Sequence, residues 1–141
     1  MSSVPFHYVD LRAFSYATED EKRVERALRS FLPEETDVER AESEGHYGDR
    51  IVVLSARVEN ADDIRHVLGR VAAVDDIDAV REELDDRVDE NCSFFLTFDK
   101  QAAFEGERER GDGITLRAKV EAYPAKREKA IENARRVLSE L

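Results

Sequence analysis

Ile114-Thr115-Leu116-Arg117-Ala118-Lys119-Val120-Glu121-Ala122-Tyr123 alternates without a break. Ile114, Leu116, Ala118, Val120 and Ala122 share one side, and Thr115, Arg117, Lys119, Glu121 and Tyr123 share the other. A period of two, apolar against polar, is the mark of a strand with one face in a core and one in water. A sheet built from such strands is covered on one side only, so its helices belong in a single layer.

Downstream, Pro124 suits the first turn of a last helix, whose apolar stripe is Ala130, Ile131, Ala134, Val137, Leu138 and Leu141. Upstream, residues 105–113 are a charged, glycine-punctuated loop. Before it, Cys92 to Phe98 reads as a strand with Cys92, Phe94, Leu96 and Phe98 on one side. Phe94, Phe95 and Phe98 are all assigned to the core, because the glycine and basic positions of an RNA-recognition strand are missing. Asp99 caps a short helix that runs to Phe104. Ile51 to Val58 is the clearest strand, apolar, β-branched and central in character. Residues 6–16 form another, with Val9, Leu11 and Ala13 inward and Tyr8, Asp10 and Arg12 outward.

A weaker polar strand covers 37–43, and Glu44-Gly45-His46-Tyr47-Gly48-Asp49 is a turn. Thr18-Glu19-Asp20-Glu21 has capping-box spacing and starts a helix through Val24, Ala27, Leu28 and Phe31, stopped by Pro33. Asn60 caps another with Ile64, Val67, Leu68 and Val71, and a short one follows through Ile77, Val80 and Leu84. The order β-α-β-β-α-α-β-β-α gives the fold class α+β. It is a two-layer domain spanning 1–141, mostly antiparallel sheet with helices on one face. The face without helices presents Tyr8, Arg12, Arg117, Lys119 and Tyr123.

At 141 residues and 41% apolar content the chain can bury one ordinary core. No apolar run approaches the roughly 18 residues of a membrane span. The start lacks the basic and apolar regions of a signal peptide, so a cytoplasmic protein is expected. Cys92, the sole cysteine, is expected to be buried and dispensable, with no partner for a disulfide.

Catalytic motifs are lacking: there is no phosphate-binding glycine loop and no nucleophile elbow. His7 with Asp10, or His46 with Asp49, could contribute to a metal-dependent hydrolase site, but such spacing is common by chance among 33 acids. No enzyme, cofactor or metal is expected.

Charge is more informative. Asp and Glu outnumber Lys and Arg by 33 to 22, and only five of the basic residues are lysine. Carboxylate-rich, lysine-poor surfaces suit a cytoplasm of high salt, where repulsion is screened within about 3 Å at 1 M. Yet Arg117, Lys119, Lys126, Arg127, Lys129, Arg135 and Arg136 face only three acids over residues 117–136. That is a local +4 in a chain of −11. A positive segment in an acidic chain is the footprint of a phosphate-binding surface. A solvated helix with paired charges is the plain alternative.

Five stretches also occur in a telling order: F-H-Y-V-D-L-R-A-F-S-Y-A-T-E-D (6–20), E-G-H-Y-G-D (44–49), R-V-D-E (87–90), D-K-Q-A-A (99–103) and V-E-A-Y-P (120–124). Together they resemble an archaeal family of predicted RNA-binding proteins described as exosome subunits, over most of the chain. The resemblance implies a fold similar to that of the ribosomal protein that binds 5S rRNA, a homodimer, and no known catalytic activity. Two departures stand out: the chain is unusually acidic for an RNA binder, and Phe98 stands where the family favours arginine.

Residues and resemblance together point to non-catalytic RNA binding in an RNA-processing assembly, in a haloarchaeal-type protein. Arg117, Lys119, Lys126, Arg127 and Lys129 would contact phosphates, His46 and Tyr47 would contact bases or sugars, and Arg12, Lys100 and Gln101 would complete the surface. The alternative is an adaptor whose loops bind protein.

Overall fold

β1 (Phe6–Tyr16), which alternates from Tyr8 onward, occupies the middle of the sheet. The computed structural model describes residues 4–45, 47–74, 76–107 and 109–140. Among these, β1 is joined by β2 (Glu39–Glu44), β3 (Arg50–Val58), β4 (Ser93–Asp99) and β5 (Gly113–Val120) in the order β2-β3-β1-β5-β4. Every neighbouring pair is antiparallel. Leu11 stands opposite Ala56 on β3 and Leu116 on β5. The register therefore sends the apolar residues of all central strands to the same side.

That side is covered by α1 (Glu21–Arg29), α2 (Ala61–Ala72), α3 (Ile77–Glu82), α4 (Leu84–Arg87), α5 (Lys100–Phe104) and α6 (Arg127–Glu140). The stripes expected from the sequence are the buried ones: Val24, Ala27 and Leu28 on α1, Ile64, Val67, Leu68 and Val71 on α2, and Ala130, Ile131, Ala134, Val137 and Leu138 on α6. They join Leu11, Leu54, Phe94, Leu96, Ile114 and Leu116 in one continuous core. Phe31 and Phe98 meet there with ring centroids 4.7 Å apart. Burial of each such side chain is worth about 1.5–3 kcal/mol. The protein is thus a two-layer α+β structure with helices on one face of an antiparallel sheet.

Local differences from the sequence reading have local causes. The α1 cap is Asp20, whose side chain accepts from the Lys22 N–H. The expected box of Thr18 and Glu21 does not form, because Glu21 is already the first helical residue and its carboxylate accepts from Arg40 on β2. The helix expected through Ile77, Val80 and Leu84 breaks at Glu83 into α3 and α4. β5 ends at Val120, three residues early: Glu121 N–H still donates to the Pro5 carbonyl opposite it, but Pro5 has no N–H to return, and the ladder stops. Pro124 accordingly lies before α6, and Tyr123 lies beyond the strand. Cys92 is buried as expected, but it precedes β4 with a left-handed φ of 63°. It closes a turn held by Asp89, whose carboxylate accepts from the Asn91 and Ser93 N–H groups.

Two glycines are required for different reasons. Gly48 turns the β2–β3 hairpin at φ +79 with open space around it. Gly113 sits at φ +120, and a Cβ there would lie 2.6 Å from the Cβ of Lys100. Gly113→Ala therefore combines backbone strain with a clash near a side-chain root, and should cost about 2–3 kcal/mol. Gly48→Ala has strain alone and should cost about 1 kcal/mol. Urea denaturation of both variants checks the order; equal losses would contradict it.

Candidate nucleic-acid interface

Alternation places a second set of side chains on the sheet face that no helix covers among the described residues. Directly paired residues share a face, so its rows can be read from the register. One row runs Glu39, Ser55, Arg12, Thr115, Thr97 across all five strands. The next runs Arg57, Asp10, Arg117, Phe95, and beyond it Tyr8 stands opposite Lys119. On β3, β1, β5 and β4 these rows hold four cations, Arg12, Arg57, Arg117 and Lys119, against one carboxylate, Asp10. Towards the other end the face turns apolar, with Val53 beside Phe14 and Ile51 beside Tyr16. The β2 edge is exposed along its whole length, with Glu39, Ala41 and Ser43 on this face.

The charged end is organised. Arg57 forms a two-pronged ion pair with Asp10, Nε to Oδ1 at 2.6 Å and a terminal nitrogen to Oδ2 at 2.8 Å. The hydrogen bonds that Arg57 donates to the Asp10 carboxylate raise its guanidinium above the ordinary range. The same guanidinium lies 3.9 Å from the centre of the Tyr8 ring. Arg117 lies 5.8 Å from the centre of Phe95, a ring 36% exposed. The assignment of Phe95 to the core is thus corrected: it is out of phase with Phe94, Leu96 and Phe98 and points to the open face. Lys119 donates to the Asn91 carbonyl. With His7, Asn91, Ala122 and Ala125 it lines a shallow pocket of about 270 Å³.

The structure gathers only part of the set named from sequence. Arg12, Arg117 and Lys119 share the open face, and Lys126 follows Ala125 of the Lys119 pocket as an exposed neighbour. The remaining basic residues of 117–136 lie on α6, in the helix layer, so the segment is not one surface. Arg127 is turned inward, its guanidinium donating to the Val88 carbonyl at 2.9 Å and to the Asp85 carbonyl, where it closes the end of α4. Lys129 pairs with Glu132 at 3.6 Å. Tyr47 is 88% exposed at the hairpin tip, beyond the apolar end, and Gln101 bonds Glu105 on α5. His46 lies outside the described residues. Asp10, offered to a metal with His7, is taken by Arg57, and among the described residues no three metal-ligating side chains converge.

Lys100 belongs to the scaffold. It is 16% exposed, donates to the Phe14 carbonyl and to Glu19 Oε1, each at 2.8 Å, and lies 5.2 Å from the Tyr16 ring centre. Asp99 beside it accepts from the Ala102 N–H and caps α5, while Ala102 and Ala103 are buried. The D-K-Q-A-A stretch therefore fastens α5 to the end of β1, as R-V-D-E shapes the turn into β4. Residues the sequence reading missed, Arg57 and Phe95, were legible only as the odd-phase positions of strands otherwise read for their cores.

A one-sided α+β sheet whose free face bears cations and aromatic rings suits a nucleic-acid platform or half of a dimer interface. The chain belongs to the RNA-binding family, whose model matches residues 8–120. It is 34% identical over 140 residues to the RNA-binding protein PAB1135 of Pyrococcus abyssi, covering 92% of this chain and 91% of that one. An uncharacterized protein of Methanocaldococcus jannaschii, MJ0213, is 32% identical over 114 residues, covering 74% and 76%. The solved DUF54 protein from Methanothermobacter thermautotrophicus shares 41% identity at a TM-score of 0.81, covering 94% of this chain and 98% of that one. The DUF54-model protein AF2318 from Archaeoglobus fulgidus shares 28% at a TM-score of 0.84, covering 94% and 99%.

The Lys100 contact gives the scaffold a pH signature. Burial alone would raise the Glu19 carboxyl, but the hydrogen bonds from Lys100 and the Tyr16 N–H outweigh it and hold it below its ordinary 4.5. A depressed carboxylate contributes stability above its unfolded value and loses it as pH falls through the folded one. Wild type should therefore exceed Glu19→Gln by about 1 kcal/mol at pH 7, a partly exposed pair being worth no more. The gap should shrink as pH drops below 4.5. Urea melts of both proteins at the two pH extremes check it; a gap independent of pH would contradict it.

Proposed function

We propose that the protein binds RNA without turning it over, and that the open sheet face of β3, β1, β5 and β4 is the binding surface. The observation that supports this most is the concentration of Arg12, Arg57, Arg117 and Lys119 on a helix-free face of a chain with net charge −11. Phosphates seek local cations and are repelled elsewhere, so such a face also orients the approach of the ligand. Thr97, Thr115 and Ser55 in the Arg12 row add hydroxyls suited to sugar and base edges. The role proposed for the protein is that of an accessory factor in RNA processing, in a salt-rich cytoplasm that its acidic, lysine-poor composition suits. A second copy would cover the apolar end of the same face, where Phe14, Ile51 and Val53 are only partly shielded by their own chain.

Paired variants separate this face from the helix layer. Arg117→Ala with Lys119→Ala should weaken binding of a total-RNA probe by about 10-fold or more, equivalent to roughly 1.4 kcal/mol. Arg135→Ala with Arg136→Ala on α6 should change it less than about 2-fold. Filter binding with folding checked by circular dichroism reads both. The reverse order would move the site to α6, and no measurable RNA binding by the folded wild type would end the proposal.

A further inference from the structure

We infer that the RNA this face accepts is single-stranded, and that Arg57 serves as a flat platform for an unpaired base and not as a phosphate clamp. This rests on the open face being the RNA surface. An anion clamp needs free donors and uncancelled charge. Arg57 has neither in full, because Asp10 takes two of its N–H groups and sets a carboxylate against it. What the pair does is fix the guanidinium plane. One side meets the Tyr8 ring at 3.9 Å, and the side chain remains 49% exposed to solvent. Unstacked bases settle on aromatic rings and on guanidinium planes alike.

Phe95 supplies a second flat group at the other end of the same row. Arg57, Asp10, Arg117 and Phe95 follow one another across β3, β1, β5 and β4. Three interstrand steps of about 4.8 Å separate the two platforms by roughly 14 Å, with Arg117 between them and Lys119 one row away. Cation for the backbone and flat groups for the bases thus alternate along a single track. A duplex cannot use it, since paired bases hide their faces in the stack. A-form RNA is bound instead through phosphates and 2′-hydroxyls across successive minor grooves, over about 16 base pairs for a typical module. The cationic area here spans only a few rows, and Glu39, at the β2 end of the Arg12 row, would meet the phosphates of anything broader.

The test is fluorescence anisotropy on the whole chain with a labelled oligouridine of about 12 nucleotides and a mixed-sequence RNA duplex of equal length, at one high potassium chloride concentration. Wild type, Arg57→Ala, Arg57→Lys and Phe95→Leu are compared, each with its melting curve. Single-stranded RNA should bind at least about 5-fold tighter than the duplex. Arg57→Lys, which keeps the charge and loses the plane, should lose as much as Arg57→Ala, again about 5-fold or more, and Phe95→Leu should lose a similar factor. Wild-type affinity in Arg57→Lys with loss in Arg57→Ala would make Arg57 a charge contact and overturn the platform. Duplex binding equal to or tighter than single-strand binding would overturn the strand preference while leaving RNA binding intact. Failure to bind either RNA would remove the underlying reading as well.

Discussion

Burial of one alternating face of β1 and β5 against a single layer of helices is the constraint on which the rest of this structure depends. Leu11, Leu54, Leu96 and Leu116 are about 1% exposed or less. A slip of one residue in any strand would exchange them for the charged set on the other side, so the register is held firmly. The same constraint leaves the second face without a cover. Once the helices are committed to the core side, Tyr8 lies against Arg57 and Phe95 near Arg117, and the rest of that face is left to solvent or a ligand.

Electrostatics sharpen that consequence. With 33 acids, most of this surface repels a polyanion at low salt. At molar salt the repulsion is screened within about 3 Å, and so is the attraction of distant lysines. What persists is contact chemistry: a guanidinium fixed by Asp10 on Tyr8, a ring beside Arg117, hydroxyls in the Arg12 row. Arginine in place of lysine fits such a surface, since a planar, weakly hydrated cation stacks where an ammonium does not. The ion pairs elsewhere, such as Arg40 with Glu21 at 2.7 Å and Arg110 with Asp76 at 2.6 Å, serve a different purpose. They tie edge strand and loop to the helices, while the open face keeps its cations near one end.

The layers were legible in the sequence because they rest on periodicity, and burial acts on every second or every third to fourth residue. The phase of Ile114 to Val120 alone implies a half-open sheet. The site was legible only in part, because it depends on which strands become neighbours. Nothing in the local run of Arg57 shows that Asp10, 47 positions away, will stand opposite it. Arg127 and Lys100 show the converse dependence on the fold. Their charges suggested RNA, but each is used internally, one on the carbonyls at the end of α4 and the other on Glu19 and the Phe14 carbonyl. A charge count along the chain cannot distinguish a cation that meets solvent from one that completes a turn, and it merged two faces of the molecule into one segment.

Amide chemical-shift mapping during titration with single-stranded RNA tests the central claim most directly, since it reports on all faces at once. The account predicts that the shifts concentrate at Tyr8, Asp10, Arg12, Phe95, Thr97, Thr115 and Arg117, with α6 beyond Lys129 unchanged. Shifts confined to Arg135, Arg136 and their neighbours on α6, with the sheet silent, would contradict it.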